Sequence, residues 1–91
     1  MNIEISDKEL EEILARCNST TPGPWKSYVE GRDHECGSDF IMTGTPEHRG
    51  NDIELSGALK IIDQDFIANA KQDIPRLINE IKRLRTLLQR T

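Results

Sequence analysis

Ninety-one residues, 35% apolar and 31% charged, suffice for one domain, residues 1–91, with one small core. The net charge of −4 speaks against a general nucleic-acid binder, and without a run of about 18 apolar residues the sequence offers no helical membrane span. Such a chain buries only about 60–65% of its unfolded surface, so self-association is an expected source of extra stability.

Ser6 and Glu9 match a capping box, S-x-x-E. Leu10, Ile13, Leu14 and Cys17 follow at helical spacing, which predicts a helix over 7–17 with Cys17 on its apolar stripe. The acidic start is not a signal peptide, and two cysteines, Cys17 and Cys36, fit a reducing cytoplasm better than a disulfide framework. The segment 21-TPGPW-25 ends the helix and delivers Trp25 to a defined place. The run 25–30 alternates Trp25, Ser27 and Val29 against Lys26, Tyr28 and Glu30, which predicts a strand. A second strand is expected over 39–43, apolar on both faces and so well covered. A third, half-buried, is expected over 52–56 with Ile53 and Leu55 inward. Together these make a small antiparallel meander.

Helix signals resume at Asp63, read as an N-cap with Ile62 and Ile67 as a hydrophobic staple and Phe66, Ile67 and Ala70 facing inward. Asp73 followed by Pro75 reads as a new start, so two helices are expected, 64–72 and 74–90. In the second, Leu77, Ile81, Leu84 and Leu88 form a short heptad seam, widened by Ile74, Ile78 and Leu87. That seam packs on the sheet or on a second copy. Acids at Glu4, Asp7, Glu9, Glu11 and Glu12 and bases at Arg76, Lys82, Arg83, Arg85 and Arg90 suggest that the first and last helices pair. The expected fold is α+β: an N-terminal helix, a three-stranded antiparallel sheet and two C-terminal helices.

The loop 31-GRDHECGSDF-40 concentrates the chemistry. His34, Cys36 and His48 lack the paired spacing of a zinc site, so no metal is expected. His34 beside Cys36 or Ser38 is weak support for a small hydrolase, because nucleophilic catalysis also needs an oriented base. No phosphate-cradling or dinucleotide motif occurs, and no cofactor is expected. A pocket for a small anionic nucleotide suits the residue types better. Arg32 and Arg49 offer charge, His34 and Ser38 offer donors, and Trp25 and Tyr28 offer stacking faces. Asp33, Asp39 and Glu54 hold the arginines or accept bonds from ribose hydroxyls. The same residues also fit a solvated hairpin tie with Trp25 in the core.

The segments TPGPW, EGRDH, GSDFIMTG, DIELSGA and DQDFIANAKQDIPRLINEIKRLR resemble a family of small, mostly uncharacterised proteins of phages, prophages and bacteria. The resemblance runs from Leu10 to Leu88. It implies that Trp25, Gly31, Arg32, Asp33, His34, Gly37, Ser38 and Glu54 occupy signature positions. This chain departs from the pattern in carrying a thiol, Cys36, where the family carries a hydroxyl, and in a longer 45-TPEHR-49 stretch. In size and in its arginine-bearing loop it also resembles the small oligomeric proteins with which phages sequester nucleotide immune signals. The resemblance implies a non-enzymatic counter-defence sponge in the host cytoplasm, a homo-oligomer through Leu77, Ile81, Leu84 and Leu88. The alternative is a protein–protein adaptor or inhibitor that uses the helical seam and no small ligand.

Overall fold

The first helix, α1, runs Asp7–Asn18 behind Ser6. The Ser6 hydroxyl accepts from the Glu9 N–H at 3.0 Å, and the Glu9 carboxylate accepts from the Ser6 N–H at 3.2 Å, so the capping box closes in both directions. Leu10 is the residue this helix buries fully. The computed structural model describes residues 4–35, 37–55 and 60–90.

Strands β1 (Trp25–Tyr28), β2 (Phe40–Thr43) and β3 (Ile53–Glu54) follow in antiparallel order β1-β2-β3. Trp25 pairs with Thr43 and Ser27 with Ile41, while Ile41 pairs with Ile53. Period-two alternation turns Ser27, Ile41 and Thr43 onto one buried face. Phe40 and Met42 lie half-buried on the other face, so β2 is covered on one side rather than both. Of the expected third strand, Ile53 and Glu54 pair; Ser56 lies outside the described residues.

The C-terminal half is one helix, α2, Ile61–Gln89, and not two. Asp63 is therefore a first-turn residue rather than an N-cap, and Ile62 and Ile67 lie inside the helix instead of stapling its entrance. Pro75 sits in its interior, where it removes one N–H and costs about 3 kcal/mol in an isolated helix. Tertiary bonds on both sides of the proline offset this. Lys71 Nζ donates to the Cys17 carbonyl at 2.7 Å and to Thr20 Oγ1 at 2.8 Å. Beyond the proline, Lys82 pairs with Glu11, and Arg85 reaches Asp7 at 2.6 Å and the Ile5 carbonyl. The pairing of acidic first helix and basic last helix thus occurs within the chain. α1 runs antiparallel to α2 and splints it across Pro75.

The sheet lies on the N-terminal half of α2. Gln64 is 2% exposed, and its Nε2 donates to Ser27 Oγ (2.8 Å) and to the carbonyls of Tyr28 (3.0 Å) and Phe40 (3.2 Å). Gln72 clasps the edge of β1: its Oε1 accepts from the Trp25 N–H, and its Nε2 donates to the Trp25 carbonyl. The inner face of α2 is thus Gln64, Ala68 and Ile78, all buried. Phe66, expected inside, is 73% exposed, and Ile67 is exposed as well. No helix among the described residues is long and apolar enough to cross a membrane.

Candidate functional site

Arg32 begins as a turn residue after Gly31, whose φ of +82° suits glycine. Its Nε donates to Asp33 at 2.9 Å, and its two terminal nitrogens grip Asp65 of α2 at 2.9 and 3.0 Å, a bidentate fork. Both carboxyls lie below the usual carboxylate range. For Asp33 the main cause is the Arg32 hydrogen bond, then the Val29 N–H. For Asp65 it is the Arg32 hydrogen bond, then Ser27. The same pairs raise the Arg32 guanidinium further above its already high value. Asp33 also closes the turn by accepting from the Val29 N–H at 2.9 Å. Glu30 accepts from the Gly37 N–H, and Asp39 accepts from the Glu30 N–H. The loop is hydrogen-bonded to itself and pinned to α2 by Arg32.

His34 is part of an aromatic cluster. Its ring lies 5.0 Å from Phe40 and 6.1 Å from Tyr28, while Tyr28 and Phe40 stack at 5.4 Å. His34 Nδ1 lies 3.5 Å from Glu30. Trp25 belongs elsewhere. Strand alternation sets it on the opposite face of β1 from Tyr28, where its Nε1 donates to the Thr21 carbonyl and Lys71 Nζ lies 5.7 Å from its ring. Arg49 pairs with Asp52 at 2.8 Å in the β2–β3 connection, and Ser38 and Glu54 are exposed. The eight expected ligand residues therefore divide among separate surroundings; Trp25 and Tyr28 do not share a stacking face. Among the described residues no group of three His, Cys, Asp or Glu is placed to hold a metal, and Cys36 lies outside them.

The open chemistry of the molecule is on α2. Gln64, Ala68, Lys71, Pro75, Ile78, Lys82 and Arg85 form a stripe at spacings of four and three that meets the sheet and α1. A second stripe lies one residue earlier at each step, about 100° around the helix: Ile67, Ala70, Ile74, Leu77, Ile81, Leu84 and Leu88. Leu77 is 62% exposed, Leu84 46% and Leu88 74%. An apolar groove of about 380 Å³ borders this stripe on the α1 side, lined by Ile13, Cys17, Trp25, Ile67, Ala70 and Ile74. Another, between Asp73, Arg76, Leu77 and Glu80, borders it on the far side. The C-terminal part of this seam was legible from the sequence. Its extension through Ile67 and Ala70 is hidden by the break expected at Asp73–Pro75, although the three-four spacing runs through it. Ile78, expected to widen the seam, is buried on the inner stripe instead.

Comparison with protein-family models, with curated proteins and with solved structures returned no match.

Proposed function

We propose that the chain is a small non-enzymatic interaction module whose working surface is the open apolar stripe of α2. The observation that supports this is three heptads of Ile, Ala and Leu between two grooves, exposed at Ile67, Leu77, Leu84 and Leu88 and half-buried at Ala70, Ile74 and Ile81. Soluble monomers rarely leave contiguous apolar patches of this kind, and full burial of each large aliphatic side chain is worth about 1.5–3 kcal/mol. A docked helix meets such a surface with side chains at the same spacing. The nucleotide-sequestering reading draws no support from the loop geometry. A phosphate at Arg32 would have to displace Asp33 and Asp65 from the guanidinium.

The test is a photo-crosslinking amino acid at Leu77 or Leu84, introduced in cells of the source organism, with Asn79 on the opposite face as control. A discrete protein adduct from positions 77 and 84 and none from 79 is the expected result. Absence of an adduct at all three positions, with the protein folded and abundant, overturns the proposal.

A further inference from the structure

We infer that the occupant of this stripe is a second copy of the chain, docked parallel and in register, with each Phe66 entering the other's groove. The inference rests on reading the α2 stripe as a docking surface. In heptad terms the a positions are Ile67, Ile74, Ile81 and Leu88, and the d positions are Ala70, Leu77 and Leu84. β-branched residues at a with leucine at d favour parallel two-stranded packing.

The flanking positions agree. A parallel pair sets each g residue beside the e residue five positions later in the partner. Glu80 at g, which pairs with Arg83 of its own chain, then comes beside Arg85 at e, which pairs with Asp7, so opposite charges adjoin in one shared network repeated twice by symmetry. An antiparallel pair faces e with e and g with g. One register brings Lys71 toward Arg85, and the other brings Asp73 toward Glu80, like charges in both. Charge complementarity therefore selects the parallel arrangement.

The strongest indication is Phe66. It is a large aromatic at 73% exposure with no packing role in its own chain's core. It occupies g, and its parallel partner position is Lys71, which lines the 380 Å³ groove with Ile67, Ala70 and Ile74. Ala70, the one small d residue, leaves that groove open. One exposed ring and one apolar groove sit at matching levels, as a self-complementary two-fold contact requires.

Sedimentation equilibrium of the full chain should give twice the chain mass of 10.4 kDa at micromolar concentration. Phe66→Ala should weaken the dimer at least about 100-fold, since two aromatic anchors are lost and each is worth tenfold or more. Its circular dichroism should match the wild type, because the ring is already exposed. Trp25 lines the groove and is the only tryptophan, so its emission should shift to the red on dilution of the wild type. In a cysteine-free background, Leu84→Cys should oxidise to a covalent dimer. Preferential disulfides between Ile74→Cys and Leu84→Cys chains would show antiparallel pairing and overturn the inference. A wild-type monomer, or a dimer indifferent to Phe66→Ala, overturns it too. If the wild type is monomeric yet crosslinks to another protein from position 77, the docking surface stands and only the identity of the occupant falls.

Discussion

Gln64→Glu changes one buried amide into a carboxylate of the same shape, at a side chain that joins α2 to both β1 and β2. The wild-type Nε2 faces Ser27 Oγ and the carbonyl oxygens of Tyr28 and Phe40 within 2.8–3.2 Å. Of these, only the serine hydroxyl can turn and donate; the two carbonyls repel an ionised carboxylate. Burial at 2% exposure adds desolvation. Both effects raise the folded pKa of the introduced carboxyl above its ordinary value of about 4.3. An upward displacement of about 2–4 pH units costs roughly 2.5–4 kcal/mol at pH 7, at about 1.36 kcal/mol per unit with the ceiling set by the interval from about 4.3 to 7. Total stability for a chain of this length is about 5–14 kcal/mol, so the variant is severely weakened or unfolded at pH 7. Because the folded pKa is raised, the lost stability returns as pH falls toward about 4, where the neutral acid donates again. Urea unfolding at fixed protein concentration, followed by circular dichroism from pH 4 to 7, measures the gap to wild type. Gln64→Leu is the control: it leaves the carbonyls without this donor at every pH and costs about 1–3 kcal/mol without that dependence. A gap for Gln64→Glu that stays constant with pH, or lies within about 0.5 kcal/mol at pH 7, would refute the buried-donor argument.

Ser6→Ala opens the capping box and should lower stability by about 0.5–2 kcal/mol in thermal melts. Gly44→Ala should cost well above 1 kcal/mol by urea titration, because φ is +80° and the new Cβ would lie 2.2 Å from the His48 carbonyl oxygen. Arg32→Ala should speed amide exchange at Gly31, whose N–H donates to the His34 carbonyl. Arg32 holds Asp33 and Asp65 below the ordinary carboxylate range. Its contribution is therefore present above about pH 4 and fades as pH drops through their lowered values, so the gap between wild type and variant should narrow in acid. A gap that widens there would contradict the assignment. Pro75→Ala restores the missing helix N–H and should raise stability by roughly 1–3 kcal/mol in guanidinium unfolding.

Features set by neighbours in the chain were legible in the sequence. The capping box at Ser6 and Glu9, the stripe through Leu10 and the alternation at Trp25–Tyr28 are local patterns, and each folded as its spacing implies. Features set by distant partners were not. Asp65 lies 33 residues from Arg32, and no periodicity announces that they meet. Gln64 is polar within an apolar-patterned helix, so hydropathy placed the inner face on Phe66 and Ile67 rather than on Gln64 and Ala68. Apolarity marks a surface to be covered; it does not say which molecule covers it. The grouping of Trp25 with Tyr28 failed on the strand alternation itself, since residues three apart on a strand point to opposite faces.

Pro75 shows how the inner and outer stripes of α2 depend on each other. A proline inside an isolated helix of this length invites a break, and a break would rotate Ile67, Ala70 and Ile74 out of line with Leu77, Ile81 and Leu84. The seam exists as one surface only because α2 stays continuous. Continuity is imposed from the inner stripe, where α1 bonds to Lys71 before the proline and to Lys82 and Arg85 after it. The Lys82 and Arg85 ion pairs are solvent-accessible and the Lys71 bond is part-buried, so each is worth little alone. Their value is geometric: they hold the two halves of α2 in one helical phase. The acidic face of α1 therefore acts on the apolar face of α2 without touching it, by keeping three heptads in register for whatever docks there.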